Sequence, residues 1–195
     1  MFVTIYGTNN IGKSTQVKLL VEALRAAGQA VEYLKYPIYD LEPTGPAINK
    51  VLRGAEGQKI SELELQELYA QNRRDFEPKL KTMLARGQLV VAEDYTGTGL
   101  AWGVTKGANL EEIEKLNQDL LKEDLSILLD GQRFLSGKEA GHLHESNDAF
   151  MQRCREVHLE LAERYDWKIV NANQKVEEVQ AEIWGIVESY LENRS

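Results

Sequence analysis

Residues 2–28 open with Phe2-Val3-Thr4-Ile5-Tyr6, pass through Gly7-Thr8-Asn9-Asn10-Ile11-Gly12-Lys13-Ser14, and continue from Thr15 to Gly28. The first block is β-branched and aromatic and stops at a glycine, which reads as a buried strand. In the third block Val17, Leu20, Val21 and Leu24 fall on one helical face, and Gly28 ends the pattern. The middle block satisfies G-x-x-x-x-G-K-[S/T] between a strand and a helix, the place where that pattern has mechanical meaning. Its glycines let the backbone curl so that successive N–H groups and the positive end of the helix converge on phosphates. Gly7 to Thr15 therefore form a candidate cradle for ATP, with Lys13 following the transferring phosphoryl group and the Ser14 hydroxyl holding Mg2+.

Outward from this unit, four further apolar runs read as strands: Ala30 to Tyr36, Leu89 to Ala92, Leu125 to Leu129, and Trp167 to Val170. Helical pattern separates them over Ile60 to Arg86, Leu110 to Leu121, Asp148 to Tyr165 and Val176 to Leu191, with Pro78 expected to kink or restart the first. Strands alternating with helices imply parallel pairing through right-handed crossovers, and strands apolar along their length imply a sheet covered on both faces. The fold class is α/β, a three-layer phosphate-loop NTPase fold with a five-stranded parallel sheet flanked by helices. Residues 1–195 are read as one domain. Pro37 to Pro46 and Gly131 to Asn147 stand out as long loops, the second a lid.

A magnesium site also needs a carboxylate at the end of a neighbouring strand. Leu89-Val90-Val91-Ala92 runs straight into Glu93 and Asp94, which puts one or the other beside the phosphate loop; Glu93 is named with Ser14 as the candidate metal ligand, and Asp94 stays open as the alternative.

The 195 residues are 43% hydrophobic and 28% charged, ordinary globular usage that excludes disorder. The formal charge of −8 argues against polymeric nucleic acid and anionic membranes as partners, so any phosphate site must be local. One cysteine, Cys154, closes no intrachain disulfide, and the start carries no cationic or long apolar leader, so a cytoplasmic location is expected. Cys154 and His158 have metal-ligand spacing on a helix but no second pair, which favours packing. His142, His144, Glu145 and Asp148 lie in or beside the lid and are not assigned to a metal.

With these motifs in place, nearly the whole chain resembles the thymidylate kinase family of phosphate-loop nucleoside monophosphate kinases. Lys35-Tyr36-Pro37-Ile38-Tyr39 and Ile48-Asn49-Lys50-Val51-Leu52 are similar to the family's proline turn and the segment after it. Leu68-Tyr69-Ala70-Gln71-Asn72-Arg73 resembles its F-x-x-N-R helix, Glu93-Asp94-Tyr95 its D-R-[YHF], and Thr98-Gly99-Leu100-Ala101-Trp102 the small-residue run that follows. Leu128-Leu129-Asp130 and Asn171 to Glu178 are weaker matches. The resemblance implies phosphoryl transfer from ATP to a pyrimidine deoxynucleoside monophosphate such as dTMP. It also implies an acceptor-binding helical region over about 37–88. In that reading Tyr69 stacks on the base and Arg73 bonds its edge, Tyr39, Tyr95, Thr98 and Trp102 line the acceptor, and Asn173 lies near adenine. Arg133 and Lys138 would be the lid's catalytic cations, beside Lys13, Glu93 and Asp94. A homodimer is left open as a further partner arrangement.

The departures share one feature. Tyr39 and Asp94 stand where the family places acceptor-phosphate arginines, and Asn9 stands where it often has an acid. At an effective dielectric of ~20, a like charge 4 Å from a phosphate costs about 4 kcal/mol. Two acceptor readings therefore stand side by side. In one, other cations such as Arg53, Arg74 or Lys106 grip a monophosphate. In the other the enzyme is a deoxynucleoside kinase, with Glu93 or Asp94 as base toward a 5′-hydroxyl. A third reading, an NTPase or nucleotide sensor without acceptor chemistry, lacks switch elements in the sequence, and the length from Pro37 to Gln88 speaks against it.

Overall fold

A computed structural model describes residues 1–53, 58–132 and 148–193. Five strands, β1 (Phe2–Tyr6), β2 (Val31–Lys35), β3 (Leu89–Glu93), β4 (Leu125–Asp130) and β5 (Lys168–Asn171), form one sheet in the order β2-β3-β1-β4-β5. Every pair is parallel, with Ile5 opposite both Glu93 and Ile127. The seven helices among the described residues are α1 (Lys13–Ala26), α2 (Thr44–Arg53), α3 (Glu62–Ala85), α4 (Thr96–Thr105), α5 (Leu110–Asn117), α6 (Asp148–Arg164) and α7 (Val176–Glu192). None is long and apolar enough to cross a membrane.

Alternation along β1 builds the three layers. Val3 and Ile5 pack into one core with Val17, Leu20, Val21 and Leu24 of α1 and Val179, Ile183 and Val187 of α7. Phe2 and Tyr6 point the other way, into a core with Phe76 and Leu80 of α3, Leu100 of α4, Ile113 of α5 and Val157 and Leu161 of α6. β5 is an edge strand, and there the expected burial on both faces fails: Val170 is buried while Ile169 is 49% exposed.

Two expectations are corrected, and α4 is added to the helices the pattern gave. Pro78 does not restart a helix, since α3 runs unbroken from Glu62 to Ala85 with the proline inside it. Its start is held by a capping box in which Ser61 Oγ accepts from the Glu64 N–H and Glu64 Oε2 accepts from the Ser61 N–H, and burial of Leu65, Phe76 and Leu80 on one face outweighs the one backbone bond that proline removes. The loop expected over Pro37 to Pro46 is shorter, because α2 begins at Thr44 and takes Pro46 into its first turn, where a missing N–H costs nothing. The small-residue run after β3 is a helix, α4, despite Gly97, Gly99 and Gly103. Tertiary packing overrides propensity there: a Cβ at Gly97 would lie 2.6 Å from the Trp167 ring, and one at Gly103 would lie 2.4 Å from Ile113 Cδ1.

Candidate active site

β1 delivers the chain to Gly7 at the C-terminal edge of the sheet, where parallel α/β folds place their ligands. Gly7 has φ 144°, and a Cβ there would lie 2.7 Å from the Leu129 carbonyl oxygen, so only glycine fits this turn. Gly12 has φ 96° immediately before the first residue of α1. Lys13 is 7% exposed and donates to the Gly7 carbonyl at 2.9 Å and the Thr8 carbonyl at 3.0 Å, which folds its ammonium back over the loop. Ile11 is core, whereas Asn9, Asn10, Gly12, Lys13, Ser14 and Thr15 line a cleft of about 490 Å3.

Pairing of β1 with β3 carries Glu93 to the same edge. Ser14 Oγ donates to Glu93 Oε1 at 2.8 Å, Lys35 Nζ lies 2.9 Å from the same oxygen, and the Tyr33 hydroxyl donates to Oε2 at 2.9 Å. Burial pushes the Glu93 carboxyl up, but the bonds and charge of Lys35, with Ser14 and Tyr33, outweigh it and hold the group below the usual carboxylate range. An ionised carboxylate beside the loop hydroxyl is the donor set a hard divalent cation takes. Glu93, not Asp94, meets Ser14.

Asp94 turns out of the strand at φ 63°. Its Oδ1 accepts from Thr98 Oγ1 at 2.8 Å and lies 3.8 Å from Lys13 Nζ. Burial raises its carboxyl above the ordinary value, Lys13 opposes that, and Glu93 adds to it. Thr98 is thus engaged with Asp94, one turn earlier.

The far wall of the cleft comes from α2, α3, α4 and the loop before α2. Asn72 pins that loop to α3, accepting from the Ile38 N–H at 2.8 Å and donating to the Ile38 carbonyl and Thr44 Oγ1 at 3.0 Å each. Tyr39, held in the loop, lines the cleft with the Arg53 guanidinium 5.0 Å from its ring centroid. Tyr69 and Arg73, four apart on α3, both line the cleft, and so does Trp102. The Arg73 side chain donates to Asn117 Oδ1 at 3.0 Å and to the Tyr95 carbonyl at 2.8 Å. Tyr95 also lines the cleft: its ring packs against Phe2 and Tyr36, its hydroxyl donates to the Leu121 carbonyl, and its own carbonyl holds Arg73.

Asn173 lies outside the cleft lining. Its amide accepts from the Gln132 N–H at 2.6 Å and donates to the Gln132 carbonyl at 2.9 Å, tying the turn before α7 to the end of β4. Of the cations weighed for the acceptor, Arg74 points away to the Leu116 carbonyl, Lys106 lies 3.0 Å from Glu62, and Arg53 lines the cleft. Lys35 was not assigned from sequence; its place before the proline turn at the end of β2 was the available signal. Arg133, Lys138, His142, His144 and most of the 131–147 lid lie outside the described residues. Cys154 and His158 are buried together at 3.6 Å, and no cluster of three or more metal-ligating side chains occurs among the described residues.

A phosphate loop on a parallel sheet, a carboxylate bonded to the loop's serine, and an acceptor cleft facing both define a phosphate-loop phosphotransferase. Residues 5–183 match the thymidylate kinase family profile. The chain is 32% identical to a probable thymidylate kinase of Thermococcus onnurineus over the full length of both. It is 31% identical to human thymidylate kinase, covering 93% of this chain and 86% of that one. The fold is similar to the solved thymidylate kinase of Candida albicans, with a TM-score of 0.78 at 23% identity, covering 96% and 91% of the two chains. The chain belongs to the thymidylate kinase family and is an ATP-dependent nucleotide kinase.

Proposed function

We propose that this enzyme transfers the γ-phosphoryl group of ATP to the 5′-phosphate of a pyrimidine deoxynucleoside monophosphate such as dTMP. The observation that carries this reading over a nucleoside acceptor is the pairing of Asp94 with Lys13, at 3.8 Å, and with Thr98. A carboxylate whose charge is offset this closely does not repel an acceptor phosphate as an isolated one would. Lys35 and Arg53 line the same cleft and supply the cations missing at positions 39 and 94, with Tyr39 presenting Arg53.

In this reading the backbone of residues 7–15 cradles the ATP phosphates and Lys13 neutralises charge on the moving group. The Ser14 hydroxyl and the Glu93 carboxylate would hold Mg2+, which would supply positive charge to offset that of the phosphates. Tyr69 stacks on the base, Arg73 donates to its edge, Trp102 walls the sugar, and Asn173 shapes the turn beside adenine. The functional unit is a single domain, with 37–88 as acceptor region and 131–147, including Arg133 and Lys138, as lid. The one free, buried thiol supports a cytoplasmic setting.

The test is a reaction of purified protein with ATP, Mg2+ and either dTMP or thymidine, with products resolved by mass. Diphosphate formed from dTMP supports the reading. Monophosphate formed from thymidine, with no turnover of dTMP, overturns it in favour of a nucleoside kinase. ATP turnover indifferent to acceptor overturns both in favour of an NTPase.

A further inference from the structure

Gln66 of α3 is fully buried and lines the cleft between Glu62 and Tyr69, on the helical face that carries Arg73. Its Nε2 donates to Glu62 Oε1 at 2.7 Å. The other oxygen of Glu62 lies 3.0 Å from Lys106 Nζ. A carboxylate has only acceptors to offer, so the nitrogen of the Gln66 amide must face Glu62 and its oxygen must face the other way. That oxygen is buried and has no hydrogen-bond partner among the described residues. A buried, unpartnered acceptor costs free energy unless something else completes it.

What stands beside it is a donor. The site of a Cβ on Gly99 would lie 2.8 Å from Gln66 Oε1 and 2.9 Å from an Arg73 terminal nitrogen, so the missing side chain at 99 leaves the two groups adjacent. Each Arg73 terminal nitrogen spends one N–H, on Asn117 and the Tyr95 carbonyl, and keeps a second. The wall therefore presents an acceptor next to a donor. The complementary ligand edge is a donor next to an acceptor, which is the imide edge of thymine or uracil, N3–H beside O4. Cytosine presents the reverse, a bare N3 beside an amino group.

We propose that Gln66 is a specificity-determining residue that accepts the imide N–H of the acceptor base, and that the Lys106–Glu62 ion pair holds its amide in the orientation that rejects cytosine. This rests on the reading of the cleft as the monophosphate site. In it Glu62 and Lys106 are positioning residues that act through Gln66.

The experiment compares kcat/KM on dUMP and dCMP, which differ only at this edge, for the wild type, Gln66→Met and Glu62→Leu, with Tm measured for each. The wild type is expected to prefer dUMP strongly. Gln66→Met is expected to lower the dUMP:dCMP ratio by about tenfold, mainly through loss on dUMP. Glu62→Leu frees the amide to turn its nitrogen toward the base and is expected to lower the ratio by raising activity on dCMP, a gain that a merely structural role would not produce. Should Gln66→Met fail to fold, wild-type enzyme with N3-methylated dTMP, which cannot donate, is expected to show KM raised by about tenfold or more with little change in kcat. A dUMP:dCMP ratio unchanged in both variants, or N3-methylated dTMP turned over like dTMP, overturns the inference. Wild type inactive on every monophosphate overturns instead the reading of the site on which it rests.

Discussion

Lys13 Nζ lies 3.8 Å from Asp94 Oδ1, so the phosphate-loop lysine and the acid that follows β3 neutralise one another across the cleft. The lysine is 7% exposed and the aspartate side chain 16%, so neither charge is left to water alone. Losing one partner strands the other. Lys13→Ala is expected to lower kcat by ~100- to 1000-fold. It should also destabilise the fold by ~1–3 kcal/mol. Adding Asp94→Asn should restore Tm but not activity, which separates the two effects. If thermal melts show no recovery in the double variant, the pair is not what Lys13 contributes to stability.

Ser14 and Glu93, joined at 2.8 Å, are expected to share one function. Ser14→Ala and Glu93→Gln should each raise the Mg2+ concentration needed for half-maximal activity by ~10- to 100-fold. The double variant should do little more than the worse single, since the two groups would hold one ion. Titration of activity with Mg2+ checks this; additive losses would separate the two residues.

Arg53 stacks over Tyr39 without a carboxylate partner among the described residues, its NH1 donating to Asn49 Oδ1 at 3.0 Å. Arg53→Ala is expected to raise KM for dTMP by ~10- to 100-fold, the worth of a hydrogen bond to a charged group, while KM for ATP stays within about twofold. Equal rises in both would mean that Arg53 supports the cleft as a whole.

Burial pushes the His158 imidazole down to about 4, with Lys13 adding to the effect and the Cys154 carbonyl and Asp130 opposing it. The unfolded chain takes up a proton near pH 6.5 that the folded chain refuses until about pH 4, so stability present above 6.5 is lost as pH falls through that window. The whole loss is about 3 kcal/mol. His158→Gln removes the titration, so its Tm should fall less than that of the wild type between pH 7 and pH 4.5. Parallel curves would show that the acid sensitivity lies elsewhere.

Gly97 lets α4 settle against the Trp167 and Tyr6 rings, which would lie 2.6 and 2.8 Å from a Cβ at that position. Both rings are buried and cannot swing aside. Gly97→Ala, although favourable to an isolated helix, is expected to cost ~1–3 kcal/mol. Each of those is worth ~2–4 °C in Tm for a chain of this size. An unchanged Tm would mean that α4 has room to shift.

The first 28 residues were enough to locate the phosphate loop, because that motif is local. Gly7, Gly12, Lys13 and Ser14 act through backbone conformation and a helix N-terminus that follow from their own spacing. The sheet was legible for the same reason, since five short apolar runs separated by helical periodicity admit few parallel arrangements. The aromatic and arginine of α3 could be named because residues 68–73 resemble the family's F-x-x-N-R helix, and a period of 3.6 then places Tyr69 and Arg73 on one face. Folding alone decided which of Glu93 and Asp94 meets Ser14, since a strand ending and a turn at φ 63° send adjacent carboxylates in different directions. It also decided that α4 is a helix, against its glycines, because close packing on Trp167, Arg73 and Ile113 rewards the absent side chains. Gln66 and Glu62 carried no sequence signal at all. An amide between two charged neighbours acquires a direction only when Lys106, 40 positions beyond Gln66 in the chain, is brought to Glu62, and that proximity is a property of the packed fold.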